Sequence, residues 1–331
     1  MRFGLLVITA LTLLSPFAAS AQSLDSLAGS AEPFTVSVNP RYPTPYSQAV
    51  ISLLSSTLDL TNASMNVSVG GKRIYQGSVK PVAIPLGRAG GVASVAMTVT
   101  VAGTPYSQSF VIQPQDVSLV AEPNASAPAL YPGKPLIPLE GSTRVVAIAN
   151  MRDAGGKSVN ASSLSYSWSV DDVQIANASG IGKEAIVVAS PLQYRDRSVS
   201  VIVKSQNGSL VGGASLSFSP AEPMLRVYKN DPLLGILFDH ALSGTYTIAD
   251  TEATLYGVPY SFPRLSGAPQ IQWFLNGDSA QTGDSITLRP SGSGAGSASL
   301  SASAGAGTSV HAAMSLPLSF GAEKSFNFFG L

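Results

Sequence analysis

Apolar and polar residues alternate along most of this chain, and one alternating pattern occurs three times. Residues 166–172 and 271–277 contain the complete pattern, and residues 65–71 contain a degenerate copy of it. In each copy the alternation runs into two residues of the Asn, Asp or Gly type, which tolerate the backbone of a tight hairpin turn. We interpret each copy as a strand that enters a hairpin. The repetition predicts three related β-domains in tandem.

The repeat continues in the same order after each hairpin. A glycine is followed by a short apolar alternation, a proline, a long alternating strand and a last strand. The long strands carry apolar side chains at every second position, namely Val95, Met97, Val99 and Val101, then Val199, Val201 and Val203, then Ala298, Leu300 and Ala302. Because side chains on a strand alternate between its faces, each strand offers one face to a core, and two such sheets packed together make a sandwich.

Length and composition agree with three domains. A chain of 331 residues has room for two or three domains of ordinary size. Its 23 prolines, and the lack of long Leu, Glu, Lys and Ala runs at helical spacing, leave little room for helix. We place the first sandwich at residues 32–114, the second at residues 115–220 and the third at residues 221–331.

Charged side chains are few and balanced. They make up 11% of the chain, against about a quarter in an average soluble protein, and the 19 Lys and Arg residues equal the 19 Asp and Glu residues. No basic cluster stands out. Nucleic acid and anionic membrane surfaces are therefore poor candidate partners.

The pattern of residues 1–21 is that of a secretory signal peptide. Arg2 precedes an apolar run at residues 3–14, and residues 19–21 read Ala-Ser-Ala, a small-residue cleavage site. We expect cleavage before Gln22 and export to the periplasm, the cell surface or the extracellular space. An uncleaved membrane anchor is the alternative, but the run is shorter than the ~20 residues that a span needs. No membrane span is expected after cleavage.

The chain contains no cysteine. An exported protein without cysteine forms no disulfide bonds, so its domains must be held by their cores alone. The same absence excludes the lipid anchor of a lipoprotein. These points together favour a bacterial origin.

The hairpin pattern also carries a resemblance to known proteins. An aromatic strand that runs into an Asn, Asp or Gly hairpin resembles the PKD-like and Ig-like repeats of bacterial cell-surface proteins. The order of features is similar to an exported three-repeat family of candidate-phyla bacteria with no established activity. The matching residues here are Tyr131 with Pro135 and Leu136, Tyr228 with Pro232 and Leu233, Trp273 with Asn276 and Gly277, and Phe328-Phe329-Gly330-Leu331. The resemblance implies tandem Ig-like or PKD-like β-sandwiches, although the Trp-Asp-Phe-Gly-Asp-Gly signature of PKD domains does not occur.

Residues suited to catalysis are scarce. His240 and His311 are the only histidines, and without cysteine a Cys/His nucleophile is impossible. Asp239 beside His240 is either half of an acid/base pair or a polar pair in a loop. No Gly-x-Ser-x-Gly, His-Glu-x-x-His or Walker motif occurs, and residues 180–185, which fit a dinucleotide loop, follow a hairpin with no helix pattern after it. We therefore predict a non-enzymatic protein without a cofactor.

Acidic residues in the turns make Ca²⁺ the one metal ion to consider. Oxygen ligands of the kind that Ca²⁺ prefers stand in three pairs, Asp171 with Asp172, Asn276 with Asp278, and Asp250 with Glu252. Asp and Asn also occupy hairpin turns because they tolerate left-handed backbone angles. Since the first copy has Gly70 and Gly71 at the same place, the turn is the common requirement. We expect no Ca²⁺ site.

Large apolar side chains have two candidate roles. Trp168, Trp273 and, in the first copy, Val67 occupy equivalent strand positions, and we assign them to the structural core; stacking on sugar rings is the alternative for the tryptophans. The aromatic segment, residues 325–331, contains Phe326, Phe328, Phe329 and Leu331. This segment either packs on the third domain or docks into a protein partner, for example as an added strand.

These observations predict a non-enzymatic, exported structural or adhesive protein of the cell surface or envelope. It would present β-sandwich surfaces to a protein partner in an envelope or pilus-like assembly. Two alternatives stay open. A pilus-type subunit or a periplasmic chaperone would exchange strands with its partner across a groove left by a missing strand. Accessory β-modules of a secreted hydrolase would accompany a catalytic constellation, and the sequence shows none.

Overall fold

The computed structural model describes residues 34–128, 133–264, 267, 269–291, 294–306 and 310–321. Within these ranges the chain is all β, with two single-turn 3-10 helices, Ala161–Ser163 and Ala176–Ala178, and no α-helix. A helix long and apolar enough to span a bilayer does not occur there. The predicted all-β fold is confirmed. The expected signal peptide and the aromatic segment lie outside the described residues.

The first sandwich has a three-stranded sheet, in the order β1-β2-β5, and a four-stranded sheet, in the order β4-β3-β6-β7. All neighbouring strands are antiparallel. The strands are β1 (Thr35–Asn39), β2 (Gln48–Leu54), β3 (Ser64–Val69), β4 (Lys72–Ser78), β5 (Val82–Pro85), β6 (Ala93–Val101) and β7 (Thr104–Ile112).

The second sandwich repeats this plan. One sheet has the order β13-β9-β8, and the other has the order β11-β10-β14-β15, with β12 pairing β10. The strands are β8 (Asp116–Pro123), β9 (Ser142–Asn150), β10 (Ser165–Val170), β11 (Val173–Gln174), β12 (Gly180–Ile181), β13 (Ala185–Ala189), β14 (Arg197–Lys204) and β15 (Val211–Phe218).

The third sandwich adds two short strands to the plan. Its sheets have the orders β17-β16-β19-β22 and β18-β24-β23-β20-β21, and β18 pairs with β24 in parallel. The strands are β16 (Met224–Asp231), β17 (Gly235–Ile236), β18 (Tyr246–Ile248), β19 (Ala253–Tyr260), β20 (Gln270–Leu275), β21 (Asp278–Thr282), β22 (Ser285–Leu288), β23 (Gly296–Ala306) and β24 (Val310–Phe320).

Alternation along the strands explains how the sheets pack. Every second side chain of β6 is buried, and the same is true in β14 and β23. In the first sandwich and in the third, the buried side chains of the two sheets form one continuous core. Burial of these apolar faces drives the sheets together, so the chain is a multi-domain β-sandwich of the Ig-like kind.

The chain divides into two compact units. The first extends to Gln115 and includes Arg152–Ser158 and Lys204–Val211, and the second comprises Asp116–Met151, Val159–Val203 and Gly212–Leu331. Within the first unit, the Gln115 side chain accepts a hydrogen bond from the Arg152 N–H at 2.9 Å and donates one to its carbonyl at 3.0 Å. The domain boundaries drawn from the sequence stay a prediction.

Candidate functional site

The three hairpin turns have the same backbone conformation. Both turn residues have positive φ in every copy, with 57° and 83° at Gly70 and Gly71, 49° and 64° at Asp171 and Asp172, and 52° and 93° at Asn276 and Gly277. Two successive left-handed residues make a type I′ turn, whose twist suits a two-residue hairpin. Gly, Asp and Asn are the residues that adopt this backbone at low cost.

Each turn is also bonded to the neighbouring long strand. In all copies the N–H of the first turn residue donates to a serine carbonyl at 2.8 Å: Gly70 to Ser94, Asp171 to Ser198 and Asn276 to Ser299. In the second and third copies the side chain of the turn residue makes a second hydrogen bond to the same serine. Oδ1 of Asp171 or Asn276 accepts from the serine N–H at 2.9 Å. These oxygens therefore already hold the turn in place.

Other acidic side chains near the turns also have protein partners. Oδ2 of Asp171 lies 3.3 Å from Nε of Arg197, and Glu252 pairs with Arg289 at 2.8 Å. Over the described ranges, no three His, Asp or Glu side chains lie close enough together to hold a metal ion. Of the oxygen ligands singled out in the sequence, those of Asp171, Asn276 and Glu252 are thus engaged in turns and ion pairs.

Trp168, Trp273 and Val67 have no exposed surface. Each indole Nε1 donates to a backbone carbonyl at 2.8 Å, Trp168 to Lys183 and Trp273 to Gly283. Because the polar edge of each ring is satisfied inside the protein, neither ring offers a face for stacking on a sugar. Both tryptophans therefore hold the two sheets of their sandwich together.

The Asp239–His240 pair lies exposed on a loop of the third sandwich. Nδ1 of His240 is 2.8 Å from Oδ2 of Asp239. The hydrogen bond with His240 lowers the pKa of Asp239. In the part of the chain that the structure describes, no third acidic or His side chain completes a cluster around them. This geometry is that of a solvated surface pair.

Ser126, which the sequence analysis did not single out, joins distant parts of the second compact unit. It is a buried polar residue in the connection between β8 and β9. Its Oγ donates to the Pro259 carbonyl at 2.9 Å and accepts from the Phe262 N–H at 3.0 Å. Its own N–H donates to the Phe262 carbonyl at 2.7 Å, and its carbonyl accepts from the Ser261 N–H at 3.1 Å. One serine therefore makes four hydrogen bonds with the region where β19 ends.

A cleft of about 580 Å³ opens beside Ser126. Tyr256 and Val258 of β19 line it, and they alternate with Leu255, which belongs to the core. The cleft therefore lies on the outer face of the β16–β19 sheet. A mainly apolar lining with a few polar groups is typical of binding sites. We take this cleft as the candidate functional site.

The chemistry of the cleft is mainly aromatic and apolar. Phe238 and Tyr256 contribute rings, and three prolines, Pro128, Pro259 and Pro269, contribute rigid apolar surface. Phe238 packs edge-on against Tyr228, with 5.2 Å between the ring centres. This contact holds the Phe238 ring at the wall of the cleft.

Two charged residues line the cleft. Arg264 and Asp284 are the charged side chains among its described lining residues. Burial, and then the negative charge of Asp284, raise the pKa of Tyr256 above its ordinary value. The cleft thus presents one cation, one anion and one hydroxyl donor around an apolar floor.

No family model and no curated protein sequence matches the chain. Among solved structures, it is similar to the three N-terminal domains of the highly immunogenic outer capsid protein of bacteriophage RB49, with 14% identity, a TM-score of 0.22, and coverage of 87% of this chain and 98% of that chain.

Two other solved structures match with similar scores. The central fibronectin-III array of RIM-binding protein shows 9% identity and a TM-score of 0.30, over 86% of this chain and 94% of that chain. The fibronectin(III)-like modules of Clostridium thermocellum CbhA show 12% identity and a TM-score of 0.23, over 56% of this chain and 94% of that chain. At these scores the likenesses carry no argument about function.

Proposed function

We propose that this chain is an exported, non-enzymatic structural or adhesive protein of the bacterial cell surface or envelope. In this role it presents β-sandwich surfaces to protein partners. The observation that carries the proposal is the position of its exposed apolar side chains. Leu233, Leu234 and Tyr194 stand on hydrogen-bonded turns and Phe238 stands at the cleft, where a partner can reach them. Exposed apolar surface of this kind is typical of protein-interaction sites.

Two turns illustrate this exposure. Leu233 is 93% exposed and Leu234 is 77% exposed, and Oδ1 of Asp231 accepts hydrogen bonds from both of their N–H groups, at 3.0 and 3.2 Å. Tyr194 is 89% exposed and has a φ of 62°. It lies within a turn that is closed by a hydrogen bond from the Arg195 N–H to the Leu192 carbonyl at 3.1 Å. The side chains are held outward by ordered backbone, which lowers the entropic cost of binding.

Strand exchange of the pilus type is less well supported than docking of side chains. An acceptor sandwich would leave its long strand without a neighbour. Here β23 pairs with β24 over its whole length, from Gly296 with Phe320 to Ala306 with Val310. In the first sandwich β6 pairs with β7 in the same way. The geometry supports partner binding through turns and outer faces.

The proposal is tested by retention on native envelopes. The tagged full chain is compared with a Leu233→Ser, Leu234→Ser variant and with a chain that ends after Gly321, and partners are identified by mass spectrometry. We expect one partner that either change weakens while the melting temperature stays the same. Export is checked by sequencing the amino terminus, which should begin at Gln22. A chain that stays in the cytoplasm, or that retains no partner, would overturn the proposal.

A further inference from the structure

The cleft on the third sandwich and the aromatic segment have matching chemistry. We propose that the aromatic segment of one copy docks in the cleft of a second copy, so that the protein associates with itself. This inference rests on the proposed function, because it names the partner of one of the presented surfaces. It is carried by three observations: the composition of the two surfaces, their positions in the fold, and the reach of the chain between them.

The composition of the two surfaces is complementary. The cleft has an apolar floor with Arg264 and Asp284 at its wall. The aromatic segment contains three phenylalanines and a leucine, and Glu323 and Lys324 come directly before it. Phenylalanine side chains would fill an aromatic and proline-lined cleft. Glu323 and Lys324 would offer one charge of each sign to the two charged residues of the wall.

The cleft runs along the third sandwich, from Ile236 and Phe238 near the end that holds Gly321 to Arg264 and Pro269 at the other end. Pro269 of the cleft directly precedes β20, whose Gln270 pairs with Gly305, and Gly305 pairs with His311 near the start of β24. The aromatic segment instead follows Gly321, just past the end of β24. β24 has 11 residues. At about 3.3 Å per residue, such a strand separates its two ends by about 33 Å.

The reach of the chain prevents Glu323 from pairing with Arg264 within one copy. Glu323 stands two residues past Gly321, so their separation is at most about 7 Å. From there it cannot reach Arg264, which lies past the end of β19 beside the start of β20. The path must also pass from one sheet to the outer face of the other, and packed sheets are about 10 Å apart. Phe328, seven residues past Gly321, can extend about 24 Å and reach the Phe238 part of the cleft in its own copy. The pairing of Glu323 with Arg264 at the same time requires a second copy.

Within one copy the exposed Leu233–Leu234 turn also lies near Gly321. It lies at the end of β16, and Asn230 near that end pairs with Thr254. Ala253 begins β19 shortly after Ile248, which pairs with Phe320. The turn and Gly321 therefore share one end of the sandwich. Leu233 and Leu234 do not line the cleft, whereas residues that dominate binding energy sit in pockets.

Docking of this kind joins two different surfaces of the same chain. Each copy then offers one cleft and one aromatic segment. Such a heterologous contact either closes into a ring or continues as an open chain of copies. Association is therefore expected to go beyond the dimer as the protein concentration rises.

The first experiment measures the mass of the full chain by analytical ultracentrifugation over a range of concentrations. We expect mass to increase with concentration. A Phe328→Ser, Phe329→Ser variant should associate at least about tenfold more weakly, since buried aromatic anchors carry most of the binding energy. A Val92→Ser, Val111→Ser variant changes exposed apolar residues of the first sandwich and is the matched control, which should associate as the native chain does.

The second experiment tests the cleft. Arg264→Glu alters an exposed side chain, and it should weaken association up to about fivefold, as expected for an exposed ion pair. Adding Glu323→Arg to the same chain should restore it. Arg195→Glu is the control charge reversal outside the cleft. Phe238→Ser should weaken binding of a labelled synthetic peptide of residues 321–331, measured by fluorescence anisotropy.

Three results would overturn the inference. The full chain could stay monomeric at all concentrations, association could survive both Arg264→Glu and Phe238→Ser, or removal of residues 322–331 could lower the melting temperature of dilute protein. The last result would place the segment on its own copy. Envelope retention of the Arg264→Glu variant separates the two proposals, because an envelope partner retained without self-association would leave the proposed function standing.

Discussion

The second and third sandwiches share the geometry of their central hairpin but differ in its residues. In both, a tryptophan without exposed surface donates its indole N–H to a carbonyl at 2.8 Å. In both, a turn oxygen accepts from the adjacent strand at 2.9 Å. The second sandwich, however, has Asp171 where the third has Asn276. It also has Tyr166 where the third has Ile271.

The difference shows what the hairpin requires. A charged and a neutral oxygen make the same hydrogen bond, and Gly70 in the first copy makes none with a side chain. What all three copies share is the left-handed turn and the N–H bond to the long strand. The turn side chains therefore serve the backbone, and a ligand is not needed to explain them.

Removal of either tryptophan should have the largest effect on this shared geometry. Trp168→Ala and Trp273→Ala should each lower the free energy of unfolding by about 3–5 kcal/mol, because a large cavity opens and a carbonyl loses its donor. Denaturant unfolding followed by fluorescence measures the loss. Val173→Ala, at an exposed position, should change little. Native-like unfolding of both tryptophan variants would show that the two cores do not depend on their indoles.

Removal of the Ser126 hydroxyl should rank second. Ser126→Ala leaves the Pro259 carbonyl and the Phe262 N–H without a side-chain partner, and an unsatisfied buried group costs about 1–3 kcal/mol. Calorimetry should show a lower melting temperature and a broader transition, because the second and third sandwiches lose part of their connection. The control is Ser118→Ala, which removes an exposed hydroxyl. An unchanged transition would mean that the two sandwiches unfold independently of this serine.

Removal of the turn side-chain oxygens should have the third-largest effect. Asp171→Gly and Asn276→Gly keep a residue that tolerates positive φ and remove only the side-chain acceptor, as in the first copy. Each should cost about 0.5–1.5 kcal/mol. Only the Asp171→Gly effect should shrink in high salt, because Asp171 alone also pairs with Arg197. Equal salt dependence of both variants in urea unfolding would contradict this, and Asp278→Ala is the control.

The smallest effect concerns alkaline pH. Burial, and then the charge of Glu184, raise the pKa of Tyr166 to about 12. Because the folded pKa is above the ordinary value near 10, folding favours the protonated form. This contribution is fully present below pH 10 and is lost as the pH rises through 12. Tyr166→Phe should flatten the loss of melting temperature over that range, whereas Tyr194→Phe should not. An identical pH profile for Tyr166→Phe would exclude Tyr166 as the cause.

Much of the fold could be predicted from local patterns. Alternation at Val199, Val201 and Val203 predicts a strand because side chains on a strand point to two faces. Asp171 with Asp172 predicts a turn because few residues adopt left-handed angles. The strand and turn patterns each extend over only a few residues, so they can be recognised in the sequence. The two extra strands of the third sandwich could not be predicted in this way. β18 has only three residues and pairs in parallel with β24, and no residue near Tyr246 indicates that β24 is its partner.

The sequence by itself determined the all-β architecture, the hairpins and the side chains that face a core, since each follows from the chemistry of neighbouring residues. Only the tertiary structure decided which serine among many is buried, because the partners of the Ser126 hydroxyl stand 133 and 136 residues away. It also decided that Phe238, Tyr256 and Arg264 share one cleft. Such long-range contacts depend on how complete strands pack, and no local pattern encodes them.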